Sequence, residues 1–87
     1  MYVILVYDVG EERVSKMLKL CRRFLNWIQN SVFEGELSEA QLKKLVQEAK
    51  KIMVLEHDSL IIFTQPNPNG IQRQIIGVEK RSLDKII

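Results

Sequence analysis

Residues 2–7, with the sequence YVILVY, decide the fold, because every one of them is aromatic, β-branched or leucine. Successive side chains of a strand point to opposite faces of a sheet, so this unbroken apolar run predicts a strand that is buried on both faces. Asp8 follows directly and ends the run. The sequence therefore predicts a doubly buried strand that ends in a carboxylate.

A helix is predicted after this strand, because apolar residues recur at steps of three and four. The apolar stripe consists of Val14, Met17, Leu18, Cys21, Phe24, Leu25 and Ile28. The residues expected to face outward are basic, namely Arg13, Lys16, Lys19, Arg22 and Arg23. From residue 28 to residue 36 the period changes to two, which predicts a second strand. Gly35 lies inside it, so we expect one long bent strand in place of a hairpin.

The second half of the chain predicts one more helix and two more strands. Ser38 precedes Gln41 by three residues, which is the spacing of a capping box, so a helix is predicted to begin there. The apolar run at 60–63 predicts a third strand, and residues 74–78 predict a short fourth one. The tail at 82–87 has enough apolar residues for one edge strand. The residues alone therefore predict the order βαβαββ with an irregular middle.

The composition is typical of one globular domain. A chain of 87 residues can bury one hydrophobic core and not two, so we predict a single domain over 1–87. Hydrophobic residues make up 46% and charged residues 28%, which excludes a disordered or fibrous protein. The sequence has neither an apolar run of membrane-spanning length nor the features of a signal peptide. A single cysteine agrees with a reducing compartment, so we expect a cytoplasmic protein without membrane association.

The two apolar faces of the first strand predict a homodimer. Two helices cover only one face of a four-stranded antiparallel sheet, which leaves the other face of residues 2–7 exposed. Apolar patches of this kind usually mark an interface, and a second copy related by a two-fold axis is the simplest cover. The tail at 82–87 is expected to add to an edge of the partner's sheet.

Asp8 is the first candidate for chemistry, and two interpretations of it are open. It caps the following turn or helix, or it binds a metal ion for phosphodiester cleavage. Magnesium takes oxygen ligands, often one or two carboxylates with water and phosphate, and a two-fold axis would bring two copies of Asp8 to one Mg²⁺. Glu11 and Glu12 lie nearby and are interpreted as solvated loop residues.

The basic helix face is the second candidate. Arg13, Lys16, Lys19 and Arg23 align along it, which suits the phosphate backbone of a nucleic acid, although a solvated face is an equal alternative. Ser31 is predicted to donate a hydrogen bond toward Asp8 or a phosphate if the first two strands are neighbours. The remaining polar candidates are weaker, because Cys21 lies on an apolar stripe and His57 has no second metal ligand at a suitable spacing.

Three stretches of the sequence resemble the Cas-two (Cas2) family, the small CRISPR-associated proteins often called endoribonucleases. They are MYVILVYDV at 1–9, QNSVFEGELS at 29–38 and DSLIIF at 58–63. The middle stretch is highly specific, and the likeness spans nearly the whole chain. The chain departs from the family at Trp27, where many members carry an arginine.

This resemblance implies an α+β, ferredoxin-like βαββαβ fold with a four-stranded antiparallel sheet and a C-terminal edge strand. It implies a homodimer whose paired Asp8 residues bind magnesium in those members that cut RNA or DNA. It also implies that the dimer bridges dimers of the Cas-one integrase and supports the duplex DNA that becomes a new spacer. A toxin-like endoribonuclease of similar fold that acts alone is the alternative.

Overall fold

The computed structural model describes residues 1–67 and 70–79. In chain order the strands and helices are β1 (Tyr2–Asp8), α1 (Glu11–Phe24), β2 (Asn26–Gln29), β3 (Val32–Glu36), α2 (Glu39–Ile52), β4 (Ser59–Asn67) and β5 (Gly70–Gly77). This is the βαββαβ order of a ferredoxin-like domain followed by one further strand. Neither helix of the described residues is long and apolar enough to span a membrane.

The strands form one antiparallel sheet in the order β2-β3-β1-β4-β5. Strand β1 lies at the centre, between β3 and β4, as its apolar sequence requires. The predicted α+β, ferredoxin-like class is confirmed. The described sheet has five strands rather than the four of the βαββαβ order, because β5 adds one strand beside β4. The edge strand predicted at 82–87 lies outside the described residues.

A two-residue turn explains why the prediction of one strand over 28–36 is wrong. Gln29 and Val32 are directly paired, and Asn30 between them has a φ of 46°. Asn adopts this left-handed conformation more readily than most residues, and it is common in tight hairpin turns. The Trp27 Nε1–H donates a hydrogen bond of 2.9 Å to the Asn30 carbonyl and closes the turn.

The predicted first helix is also shorter than its apolar stripe suggests. Leu25 has extended backbone angles and donates its N–H to the Cys21 carbonyl at 2.8 Å, so α1 ends at Phe24. Ile28, which continued the stripe, lies in β2 with 42% of its surface exposed. The prediction that Ile28 is helical is therefore wrong. Its position four residues after Phe24 matches the apolar spacing of α1 by chance.

The core lies between the helices and one face of the sheet. Val3, Leu5 and Tyr7 of β1 are buried there, together with Phe33 of β3. The other side chains of β1 lie on the opposite face and are only half-buried in the single chain. Both faces of β1 are thus apolar, as predicted, but the two helices cover only one of them.

The predicted capping box of α2 is present. The Ser38 Oγ accepts a hydrogen bond of 3.1 Å from the Gln41 N–H, and the Gln41 Oε1 accepts one of 2.8 Å from the Ser38 N–H. These contacts satisfy two backbone donors that the helix itself leaves unpaired. The start of α2 was therefore predictable from a local pattern.

We expect Gly77→Ala to lower the free energy of unfolding by about 2 kcal/mol. Gly77 has a φ of 89°, and an added Cβ would lie 2.1 Å from the Asp58 carbonyl oxygen. Gly70→Ala is the matched control, since a Cβ there meets nothing within 4 Å. Urea unfolding of both variants tests this prediction, and equal destabilisation at the two positions would contradict it.

Candidate functional site

Asp8 is the last residue of β1, and its exposed side chain lines an open recess of about 330 Å³. Ser31 lines the same recess, because the Tyr7 N–H donates a hydrogen bond of 3.2 Å to the Ser31 carbonyl. The structure therefore brings Asp8 and Ser31 together, as expected for neighbouring strands. We call this place the Asp8 recess.

Ser59 is a further polar residue at this end of the sheet. It lies directly across from Asp8 in the β1–β4 pair, and opposed residues share a face with Cβ atoms about 5 Å apart. Ser59 is 2% exposed, and its Oγ has no hydrogen-bond partner within residues 1–67 and 70–79. Ser59 does not line the Asp8 recess, so its buried hydroxyl is not available to a ligand there.

The donor atoms at the Asp8 recess fit a hard cation such as magnesium. Magnesium prefers oxygen ligands and is often held by one or two carboxylates with water and phosphate. Among the residues that the structure describes, no group of three or more His, Cys, Asp or Glu side chains could hold a metal ion. One described chain thus offers one carboxylate in a recess that Ser31 also lines.

Asp58 holds the loop between β1 and α1 in place. Its carboxylate is 1% exposed and accepts hydrogen bonds from the Gly10 N–H at 2.9 Å and the Val54 N–H at 2.8 Å. Arg13 donates to it twice, from Nε at 2.6 Å and from Nη2 at 2.8 Å. The Asp58 carbonyl also accepts a bond of 2.8 Å from the Val78 N–H. We call this set of contacts the Asp58 clamp.

The clamp keeps Asp58 ionised although it is buried. The hydrogen bonds from Arg13 lower the pKa of Asp58 far below its ordinary value, and the N–H groups of Val54 and Gly10 add to this effect. Burial raises the pKa of Asp58, but the hydrogen bonds lower it by more. The charge is therefore retained at neutral pH and fixes the loop that follows Asp8.

Arg13 is thus part of the clamp rather than of an outward-facing basic stripe. Its side chain is only 18% exposed, and its Nη1 donates a further bond of 2.6 Å to Glu12. The prediction that Arg13 faces outward is wrong, because a buried carboxylate lies within its reach. Its contact with nucleic acid stays a prediction.

The other predicted cations lie together in a groove of about 250 Å³ between α1 and α2, which we call the basic groove. It is lined by Lys16, Lys19, Leu20, Arg23, Glu48, Lys51 and Ile52. The Lys51 Nζ lies 3.1 Å from the Oε2 of Glu48, which is the one acidic residue of this lining. Asp8 is not part of the lining, so the structure separates the basic groove from the Asp8 recess.

Positive charge is concentrated on the helices of the described chain. Nine of the ten Lys and Arg residues that the structure describes lie in α1 and α2, against four Glu residues in the same helices. Arg73 of β5 is the tenth. The helix layer therefore attracts anions, and the sheet does so much less.

The sheet face turned away from the helices is apolar at its centre, and we call it the open face. Its half-buried apolar residues are Tyr2, Ile4, Val6, Val32, Ile61, Phe63 and Ile75. A cavity of about 240 Å³ on this face lies between Ile4, Phe63 and Ile71, and Ile71 is 70% exposed. The Tyr2 hydroxyl donates a hydrogen bond to Glu34 across the strands. An apolar face this broad is typical of an interface.

Trp27, where the chain departs from many relatives, lies on β2 and is 51% exposed. The Arg22 guanidinium lies over the Trp27 ring, 5.9 Å from its centre, in a cation–π contact. Arg22 of α1 therefore places a positive charge beside Trp27, the position at which many relatives carry an arginine.

Residues 1–69 match the model of the family described as CRISPR associated protein Cas2. The chain belongs to the Cas2 family. This confirms the resemblance that the three sequence stretches indicated.

Individual Cas2 proteins match over the full length. Two relatives named CRISPR-associated endoribonuclease Cas2, from Dictyoglomus turgidum and Pyrococcus furiosus, are each 44% identical over 87 residues, which is 100% of both chains. A solved crystal structure of Cas2 has a TM-score of 0.72 and 48% identity, covering 95% of this chain and 93% of that one. The Streptococcus pyogenes Cas2 structure at pH 6.5 has a TM-score of 0.69 and 28% identity. The match covers 79% of this chain and 89% of that one. Both sequence and fold therefore support the Cas2 assignment.

Sequence reasoning did not find the role of Asp58 or the burial of Ser59. Both lie where a polar loop enters the apolar strand β4, and a carboxylate at such a position is a signal that it has a buried partner. The partner Arg13 lies 45 residues away, beyond any local pattern. The sequence therefore named the groups at Asp8 but not the clamp that holds the loop after it.

We expect Asp58→Asn to lower the free energy of unfolding by about 3 kcal/mol at pH 7, because it leaves Arg13 without its buried counter-charge. Glu48→Gln is the matched control, since it breaks an ion pair in which Lys51 is 73% exposed, and it should cost less than about 1 kcal/mol. Urea unfolding of both variants measures the difference in the free energy of unfolding.

The free energy of unfolding of wild type and of Asp58→Asn is also measured at about pH 3. The folded pKa of Asp58 lies below the unfolded value of about 4, so the clamp's contribution is complete above pH 4 and is lost as pH falls. A gap between wild type and Asp58→Asn that did not narrow at low pH would contradict the clamp.

Proposed function

We propose that this chain is a homodimeric, nucleic-acid-binding subunit of CRISPR spacer acquisition, which acts in the cytoplasm and bridges dimers of the Cas-one integrase. Membership of the Cas2 family supports the CRISPR role. We further propose that it cleaves phosphodiester bonds of RNA or duplex DNA with Mg²⁺ at Asp8. The observation that carries this second part is the exposed carboxylate of Asp8 in an open recess that Ser31 also lines.

Asp8 is the proposed catalytic residue and magnesium ligand. When bound there, magnesium supplies positive charge that polarises a phosphate and activates water. Ser31 lines the same recess, where its hydroxyl can donate to a phosphate or water oxygen. Asp58 acts indirectly, because it fixes the Gly10 N–H and with it the loop that follows Asp8.

The open face supports the homodimer. Its central residues Ile4, Val6, Ile61 and Phe63 remain half-exposed in one chain, and a second copy would remove them from water. Each square ångström of apolar surface so buried contributes about 25 cal/mol to association. A symmetric partner presents the same apolar residues in return, so the face is self-complementary in character.

The basic groove supports the nucleic-acid contact. Lys16, Lys19 and Arg23 provide three cations in one groove, and they are the proposed phosphate contacts. Arg13 belongs to the same helix and supports the surface by fixing the start of α1. No aromatic residue lines this groove among the described residues, so we propose contact with the backbone rather than stacking on bases.

An endoribonuclease that acts alone is the second candidate. The names of the two 44% identical relatives favour it, since both are called endoribonucleases. Spacer acquisition in cells that carry Asp8→Asn separates the two functions. Acquisition that survives while RNA cleavage disappears supports the integrase-bridging role and makes catalysis dispensable for it.

We expect Asp8→Asn to reduce cleavage of single-stranded RNA or duplex DNA at least about a hundredfold, because an amide is a poor magnesium ligand. Glu11→Gln is the control, since Glu11 is exposed nearby but does not line the recess. Cleavage is measured for both variants and wild type across a magnesium titration. Equal rates in wild type and Asp8→Asn would identify a contaminating nuclease and contradict the site.

Mixed dimers extend the same experiment. If two Asp8 carboxylates share one magnesium, wild type refolded with an excess of Asp8→Asn should lose activity with the square of the wild-type fraction. A linear loss would show that each chain acts independently.

We expect Lys19→Gln to weaken binding to duplex DNA and to reduce the slope of log K against log salt concentration by about 0.9. The reason is that one phosphate contact releases one condensed counterion. Lys44→Gln is the control, because Lys44 is exposed on α2 but does not line the basic groove. Fluorescence anisotropy over a range of salt concentrations measures the slope. An unchanged slope for Lys19→Gln would remove this residue from the interface.

A further inference from the structure

Trp27 and Arg22 form an aromatic and cationic surface that belongs to the lining of neither the Asp8 recess nor the basic groove. Trp27 is 51% exposed, and it is the single tryptophan of the chain. The Arg22 guanidinium lies over the ring, 5.9 Å from its centre. One exposed aromatic ring needs no explanation by itself, so its surroundings decide what it can do.

The Trp27 ring adjoins the Asp8 recess. Its Nε1–H donates a hydrogen bond of 2.9 Å to the Asn30 carbonyl, and Asn30 lines the recess with Asp8. Trp27 pairs with the buried Phe33, which places the ring on the helix side of the sheet. The recess reaches that side as well, because Val14 of α1 lines it. One hydrogen bond therefore joins the indole to the wall of the recess.

The ring is accessible because β2 is an edge strand. In the sheet order β2 has β3 on one side, and no other strand of residues 1–67 and 70–79 lies beyond it. All four residues of β2 are exposed. A ligand can therefore reach Trp27 without displacing a described strand.

The chemistry of the ring favours stacking over hydrogen bonding. An indole has one donor and no acceptor, and the Trp27 N–H already bonds Asn30. The ring therefore offers a ligand its flat apolar surface, and Arg22 adds a positive charge beside it. Nucleic acid combines both matching features, because its bases stack on aromatic and guanidinium planes and its phosphates are anionic.

We propose that Trp27 stacks on a base of the nucleic acid whose phosphate lies in the Asp8 recess, and that Arg22 pairs with an adjoining phosphate. This inference rests on the proposed nucleic-acid function and adds to it a residue that contacts a base. A protein partner fits less well, because the ring adjoins the recess proposed to hold a phosphate. The stacked base must be separated from its neighbours, so a single-stranded or splayed segment fits and a paired duplex does not.

This surface differs from the basic groove in what it recognises. Neither Trp27 nor Arg22 lines that groove, where contacts with the phosphate backbone are proposed. Contact at Trp27 requires bases, whereas contact in the groove persists with a strand that lacks them. A strand without bases therefore separates the two surfaces.

The fluorescence of Trp27 tests the inference directly, because no other tryptophan contributes to it. The full chain is titrated in EDTA, which prevents metal-dependent cleavage, with a short oligothymidylate. An abasic strand of the same length is the comparison, since it has the same charge. We expect the oligothymidylate to quench Trp27 and the abasic strand to leave its fluorescence unchanged.

Variants separate the ring from the turn that it closes. Trp27→Phe and Trp27→Ala both lose the hydrogen bond to Asn30, but only the phenylalanine keeps a ring. Anisotropy of a fluorescein-labelled oligothymidylate should show binding weakened about tenfold by Trp27→Ala and less than about threefold by Trp27→Phe. Binding of the abasic strand should change less than about twofold in both. Ile28→Ala, at the exposed neighbouring residue, is the control and should leave both affinities within about twofold.

Arg22→Gln tests the phosphate contact. It should weaken binding of the oligothymidylate and of the abasic strand alike, and reduce the slope of log K against log salt concentration by about 0.7. Lys44→Gln, at an exposed residue of α2, is the control. An unchanged slope for Arg22→Gln would contradict this contact.

Two results would overturn the stacking inference alone. The first is oligothymidylate binding that leaves the fluorescence of Trp27 unchanged. The second is equal weakening by Trp27→Phe and Trp27→Ala, which would assign the effect to the Asn30 turn. Failure of both strands to bind would contradict the nucleic-acid part of the proposed function and the inference with it. Cleavage is not measured, so a failure of the metal site at Asp8 leaves the test intact.

Discussion

A buried carboxylate paired with one arginine determines the shape of the end of the molecule at which Asp8 lies. Burying the charge of Asp58 would be unfavourable on its own, and it is compensated because Arg13 and two backbone N–H groups bond it. The backbone carbonyl of Asp58 also accepts a hydrogen bond from the Val78 N–H, so Asp58 also holds the residue that follows β5. The absence of a Cβ at Gly77 permits this approach. One ionic contact thereby fixes the loop that follows Asp8.

The elements that local patterns specify were predictable, and those that depend on distant partners were not. β1 follows from an unbroken apolar run and α2 from a capping box, since both signals lie within a few residues. The hairpin of β2 and β3 was missed because the period of two continues through the Asn30 turn. Likewise Asp8 and Ser31 could be placed together by reasoning about adjacent strands. The Asp58 clamp could not, because a basic residue on a helix looks solvated until its partner in space is known.

The distribution of charge divides the molecule into two layers with different capabilities. The helices carry nearly all of the described cations, and the open sheet face carries apolar side chains with Glu34 among them. A polyanion is therefore attracted to the helix layer, and a hydrophobic partner is accommodated on the sheet. The two contacts do not compete, because they lie on opposite sides of one sheet. The proposed function combines a nucleic-acid contact with a dimer contact, and this separation gives each contact its own surface.

The alternation of side chains along β1 connects the open face to the proposed magnesium site at Asp8. Residues 2, 4, 6 and 8 share one face of the strand, so Asp8 continues the row formed by Tyr2, Ile4 and Val6. A second copy that covers the apolar part of this row necessarily approaches its carboxylate end as well. A two-fold axis near that end would bring two copies of Asp8 close together, and two carboxylates that close repel unless a cation lies between them. The proposed dimer and the proposed magnesium ion therefore support each other. The apolar row favours association, and the cation relieves the repulsion that association creates.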